Sequence, residues 1–213
     1  MRRQQTENGC QTPDQKKVNE AGKKYHPYQR GIYMKTGIIV CGCNGSGKST
    51  LGKALAAALQ YNFIDIEDCY FPKDNMDYAY DHARTFEEAR QVLLEKVNEH
   101  GNFVLAAVKG NYGNEISALY RCAVLISVPK EIRLQRVRDR SFQKFGSRIL
   151  PGGDLHEQEQ RFFDMAAQRN EQDVEDWLNT ANCFVIRVDG TKAIEANVRL
   201  ILNELSEWGI ITK

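Results

Sequence analysis

Apolar residues fall in two alternating rhythms along the chain. Dense short runs, GIIVCG (37–42), NFIDI (62–66), FVLAAV (103–108), CAVLISV (122–128) and CFVIRV (183–188), predict strands. FVLAAV is apolar without a break, as expected of a strand covered on both faces. Between the runs, apolar residues recur every three or four positions and predict helices over 48–60, 85–101, 113–120, 130–145, 155–169, 170–180 and 193–208. In the first of these, Leu51, Ala54, Leu55, Ala58 and Leu59 share one side. The second opens on the capping-box pair Thr85 and Glu88, and Gly101 is placed to close it. Strands and helices in strict alternation predict an α/β fold of three layers, with about five parallel strands and helices on both faces.

Residues 1–33 break the rhythm. They are polar, rich in Gln, Asn and Lys, and carry no apolar period, so they are expected to be a disordered tail ahead of one domain over 34–213. Met34 begins MKTGIIVCG, which reads like a start in its own right. The formal net charge of +1 hides an asymmetry: the first 33 residues hold seven Lys/Arg against three Asp/Glu, leaving 22 against 25 for the remainder. A domain at −3 gives no bulk reason to expect nucleic acid or an anionic membrane as partner. No apolar run approaches the roughly 18 residues needed to span a bilayer. The polar stretch after Arg2-Arg3 excludes the apolar core of an export signal. Six cysteines form no C-x-x-C pair. Buried reduced thiols in a cytoplasmic protein therefore fit better than disulfides, or than a metal pair at Cys41 and Cys43 with no neighbouring His or Cys.

The chemistry is concentrated where the first strand meets the first helix. Gly42-Cys43-Asn44-Gly45-Ser46-Gly47-Lys48-Ser49, followed by Thr50, fits the phosphate-loop (Walker A) pattern G-x-x-x-x-G-K-[ST]. Glycines let successive N–H groups turn inward around a phosphate, and the following helix points the positive end of its dipole at the same place. In such a loop Lys48 reaches the β- and γ-phosphates of ATP, and Ser49 ligates Mg²⁺.

An acid at the end of a central strand, common in mechanical ATPases, is missing: FVLAAV runs into Lys109-Gly110-Asn111. The acids follow the second strand instead, in FIDIEDCYF, as Asp65, Glu67 and Asp68. Alternation with Ile64 and Ile66 predicts Asp65 and Glu67 on one side of the strand's end, in the crevice where α/β sheets bind ligands. Two carboxylates there can divide the labour, one holding Mg²⁺ and the other accepting the proton of an attacking hydroxyl or fixing the acceptor.

From Lys35 to about Leu205 the sequence resembles the small P-loop kinases of the adenylate, shikimate, gluconate and nucleoside kinase type, more broadly the AAA-type ATP-binding proteins. The resemblance implies Asp65 as a partner of Mg²⁺ and Glu67 as a contact of the acceptor. It also implies a helical lid at about 140–160 whose Arg140 and Arg148 close on the triphosphate, an acceptor-facing stretch VKGNYG (108–113), and adenine packing by VDGTKAI (188–194). Lys109 departs from the small residue usual at its position in shikimate-type enzymes.

The candidate catalytic set is thus Lys48, Asp65, Glu67, Arg140 and Arg148. Arg161 and Arg169 stand behind it, and Arg84 is a candidate for an acidic acceptor group. Tyr70, Phe71, Tyr78 and Tyr80, beside the carboxylates, either stack a nucleobase or pack a covering loop. The expected activity is ATP- and Mg²⁺-dependent phosphoryl transfer to a small metabolite, nucleoside or nucleotide acceptor, with an ATPase or nucleotide-dependent switch as the alternative.

Overall fold

The computed structural model describes residues 35–72, 78, 80, 82–99 and 101–211, all within the unit Met34–Lys213. The tail expected over 1–33 lies outside the described residues, as does Cys10. Five strands, β1 (Gly37–Cys41), β2 (Asn62–Asp65), β3 (Phe103–Ala106), β4 (Tyr120–Ser127) and β5 (Phe184–Asp189), form one sheet in the order β2-β3-β1-β4-β5. Every pairing is parallel, with Ile39 of β1 registered against Leu105 on one side and Ala123 on the other.

Central β1 is buried throughout, and its alternation divides the interior into two cores. Ile38 and Val40 pack toward α1 (Lys48–Leu59) and α8 (Ile194–Glu207), with Leu51, Leu55, Ile201 and Leu205. Ile39 and Cys41 pack toward α3 (Phe86–Glu99) and α7 (Gln172–Thr180), with Leu93, Val97, Val174 and Leu178. This is the three-layer α/β arrangement expected from the sequence. The five described cysteines are buried, and burial pushes the Cys41 and Cys122 thiols far above their ordinary range. Among the described residues no helix is long and apolar enough to cross a membrane.

Several elements differ in detail from expectation. In α1, Ala58 is exposed while Gly52 and Ala56 are buried. Gly52 comes so close to the Phe63 ring that a Cβ there would sit 2.8 Å from it. In α3 the capping box forms: the Thr85 N–H donates to Glu88 Oε2 at 2.8 Å and the Glu88 N–H to Thr85 Oγ1 at 3.3 Å. Gly101, however, does not take the left-handed backbone of a glycine cap, because the chain runs straight on into β3. The helix expected over 113–120 is only α4 (Asn114–Ser117), since β4 already begins at Tyr120.

After β4, the helix α5 (Lys130–Phe145) ends at Gly146, φ 59°, and a 3-10 turn (Gly146–Ile149) opens the expected loop. α6 (His156–Gln168) runs back along α5, and a third small core of Tyr78, Ile149 and Leu155, flanked by Phe145 and Phe163, fastens the hairpin.

Candidate functional site

The segment between β1 and α1 is a tight backbone cradle. Gly45 has φ 79°, and a Cβ on it would lie 2.2 Å from the Arg133 carbonyl oxygen; a Cβ on Gly42, φ 144°, would lie 2.6 Å from that of Ile126. Only glycine fits such positions. Gly47 is the N-cap of α1 and supplies no side-chain cap, so first-turn N–H groups are left without a capping side chain at the loop. Asn44 Oδ1 and Ser46 Oγ are buried without a hydrogen-bond partner among the described residues. Buried polar groups are normally satisfied, so these orphans, together with the bare helix start, fit a loop built around a polyanion.

Lys48 donates from Nζ to the Cys43 carbonyl at 3.0 Å. Burial pushes its pKa down from 10.5 to about 8, while Glu67 and Asp65 pull it partly back up. Among the described residues it forms no ion pair, so its charge is held ready beside the loop.

Asp65 and Glu67 line the same cleft as Lys48 and Ser49, but not as sequence alternation predicts. β2 stops at Asp65, and α2 (Ile66–Tyr70) starts at once. Asp65 is its N-cap, accepting from the Glu67 N–H at 3.1 Å, and Glu67 and Asp68 occupy its first turn. Asp is a strong N-cap and acids suit the positive end of a helix, so this sequence turns helical where alternation alone would extend the strand. The two carboxylates are neighbours on a turn rather than on one strand face.

Helix α5 contributes more than expected. Arg133, Val137 and Ser141 form its buried stripe. Arg133 is only 4% exposed; its Nη1 donates to the Asn44 carbonyl at 3.2 Å and its Nη2 to the Arg169 carbonyl at 3.4 Å. One residue round the helix, Arg136 and Arg140 line a cavity of about 200 Å³ with Lys48, Ser49, Thr50 and Glu67. Both Nη atoms of Arg136 also donate to the Gly190 carbonyl at 3.2 Å, which ties α5 to the loop after β5.

Arg148 goes elsewhere. It grips Asp154 through Nε and Nη2, the latter at 2.7 Å, and holds the Asp154 carboxyl below its usual range. Arg84 donates to the Cys69 carbonyl at 2.9 Å and so binds its own segment together. Arg161 and Arg169 both reach the large cleft. The arginines least visible in the sequence, Arg133 and Arg136, had one available signal. Spacings of four from Val137 and Arg140 put them on adjacent stripes facing the loop.

That large cleft measures about 800 Å³ and starts at Asn44, Lys48 and Ser49. Its floor carries Asp65, Glu67, Lys109 and Asn111, and its walls come from the segment after α2, the start of α3 and the inner side of α6. Gly110 and its neighbours hold this floor tightly, since a Cβ on Gly110 would meet Trp177 at 2.5 Å.

Among the described residues no three His, Cys, Asp or Glu side chains come close enough together to hold a metal ion alone. Ser49 and Asp65 both place an oxygen-bearing side chain on this cleft, the donor type taken by Mg²⁺, an ion that keeps several waters and leans on substrate phosphates.

A family model described as an AAA domain matches residues 38–146, from β1 through the end of α5. The chain is 26% identical over 181 residues to the uncharacterized protein YqaC of Bacillus subtilis (strain 168), covering 81% of this chain and 99% of that one. A deoxyadenosine kinase from M. mycoides with bound dATP superposes with a TM-score of 0.50 at 15% identity, covering 81% of this chain and all of that one, 100%. A gluconokinase from Sinorhizobium meliloti 1021 gives 0.49 at 17% identity, covering 82% and 94%. At such identities the likeness to solved structures is one of fold. With the phosphate-loop pattern, the parallel five-stranded sheet and the match to more than half its length, the chain belongs to the AAA domain family and has the fold of a small P-loop kinase-like NTPase.

Proposed function

We propose that the protein transfers the γ-phosphoryl group of Mg²⁺-bound ATP to a hydroxyl or phosphate oxygen of a small metabolite. One observation carries this reading. The loop end marked by Lys48 and Ser49 and the carboxylates Asp65 and Glu67 open onto a single cleft of about 800 Å³. Hydrolysis needs room for one water; this cleft has room for a bound acceptor beyond the phosphates.

In this reading the loop amides and Lys48 hold the β- and γ-phosphates, and Thr50 and Arg140 flank the chain of phosphates on the α5 side. Residues 188–194 pack on adenine beside Arg136. Mg²⁺, held by Ser49 and assisted by Asp65, supplies charge neutralisation to the phosphate oxygens when bound. Glu67 orients the acceptor and takes its hydroxyl proton as the acceptor oxygen bonds to phosphorus and ADP leaves. The hairpin at about 140–160 acts as a lid that keeps water out, residues 1–33 are dispensable, and the setting is the cytoplasm.

The experiment measures ADP release from Mg²⁺-ATP with and without a metabolite panel. A selective rise above the acceptor-free rate is expected. A rate indifferent to every acceptor identifies an ATPase instead.

A further inference from the structure

We propose that the acceptor carries a nucleobase, held between aromatic faces on the cleft walls; this rests on the phosphoryl-transfer reading of the same site. Going outward from Asp65 and Glu67, the cleft changes from charged to aromatic. Tyr70, Phe71, Tyr78 and Tyr80 line it on one side, Phe86 and Tyr112 on the floor side, and Phe162 with Met165 on α6.

The rings are fixed in orientation. Tyr80 is gripped edge-on by Phe71, at 4.9 Å between centroids and 86° between planes, and by Tyr78, at 5.3 Å and 72°. Held that way, it faces Phe162 almost in parallel, at 6.5 Å and 13°. A second near-parallel pair, Phe86 and Tyr112, lies at 6.1 Å and 17°.

The fold leaves part of this apolar surface open: Phe86 is 44% and Met165 37% exposed. An open-chain sugar acid or polyol has no flat apolar face to cover such walls, and its many hydroxyls would lose water against them. A base has a π face for the rings. Its edge also carries donors and acceptors, which the amides of Asn111, Gln158 and Asn170 around the cleft can match. With the base at the rings, the sugar falls toward Asp65, Glu67 and the phosphate-loop end. Lys109 and Arg161, also on the cleft, are where a phosphate on the acceptor would be met.

The test gives the full chain Mg²⁺-ATP with three separate sets: nucleosides, nucleoside monophosphates, and polyols with sugar acids. Products are identified by mass spectrometry. A member of the first or second set is expected to raise ADP release, and which set responds tells a free nucleoside from a phosphorylated one. Phe162→Leu, which keeps apolar bulk and removes the ring, is expected to raise that acceptor's KM by about tenfold to a hundredfold, and Phe162→Tyr to restore it.

Stimulation by polyols or sugar acids alone overturns the nucleobase site and leaves phosphoryl transfer standing, as does an unchanged KM in Phe162→Leu. If no set raises ADP release, none of these compounds is the acceptor, and the site is judged by binding. Saturation-transfer NMR from the protein to the base protons of purine and pyrimidine nucleosides, with a non-hydrolysable ATP analogue in place, supports the site if the signal is lost in Phe162→Leu. Absence of any transfer overturns it.

Discussion

At the loop end of the cleft, main chain makes the surface: Gly42, Gly45 and Gly47 have φ values that side-chain-bearing residues avoid, and Asn44 Oδ1 and Ser46 Oγ stay buried without a hydrogen-bond partner among the described residues. At the α6 end, side chains make it: rings from the segment around Tyr70–Tyr80, from the start of α3 and from α6 line the cleft, and the ion pair of Arg148 with Asp154 sits on the surface. The first surface is a local object, written in eight consecutive residues. The second exists only after folding. The loop end should therefore fail sharply when altered, and the α6 end by degrees.

The largest expected effect is at Lys48. Lys48→Met removes the lysine charge beside the loop and should lower turnover by at least about 10²–10³-fold. It should also raise the melting temperature of the nucleotide-free protein, because it deletes a half-buried ammonium whose charged form the fold disfavours. The pH dependence gives the sign. The folded pKa, about 8, lies below the unfolded 10.5, so below about pH 8 the full destabilisation is present, and it fades as pH rises toward 10.5. Melting curves of the two proteins should therefore differ most below pH 8 and converge above 10. A constant gap would show that Lys48 acts through packing.

Next come the two carboxylates. Asn is as good an N-cap as Asp, so Asp65→Asn should preserve α2 and weaken Mg²⁺-dependent turnover with or without acceptor. Glu67→Gln should retain nucleotide binding and lose about 10²–10⁴-fold of the acceptor-stimulated rate. Identical behaviour of the two variants would remove the division of labour, and Asp68 would be the next residue to test.

A pair of arginine variants then sharpens the comparison. Arg140→Ala, beside Lys48 and Glu67, should reduce kcat/KM by about tenfold to a hundredfold. Arg148→Ala breaks a surface ion pair and should change kcat/KM by less than about threefold. Equal losses would mean that the hairpin swings Arg148 inward during turnover. The smallest effect is expected from deleting residues 1–33, whose sequence offers little apolar surface to bury. Melting temperature and ATP affinity should be nearly unchanged.

How much could be read in advance follows the same division. The sheet was legible because each strand is a dense apolar run, and the phosphate loop because an anion cradle needs contiguous residues. Asp65 and Glu67 were legible as a pair at the end of β2; Asp65 does end that strand, whereas Glu67 belongs to α2, since alternation says nothing about a capping carboxylate that starts a helix. Arg140 and Arg148 look alike in sequence, eight residues apart on a basic stretch, yet one lines the loop cavity and the other binds Asp154. Choosing between them requires the turn at Gly146, whose positive φ redirects the chain. Arg133 was hidden among solvated neighbours because its partners are main-chain carbonyls, which no sequence pattern marks.

The contact between Gly45 and Arg133 has a consequence for how the protein comes into being. The phosphate loop is local in sequence, yet its outer wall is a carbonyl 88 residues downstream, and the guanidinium of that same residue holds the Asn44 carbonyl. A growing chain can therefore make β1, the glycines and α1 early, but cannot set the loop in its final shape until α5 has been synthesised and docked. Nucleotide binding would then be among the last properties the domain acquires. A nascent chain cut short before residue 129 should collapse around its sheet without holding ATP, so that ligand capture reports completion of the fold rather than its beginning.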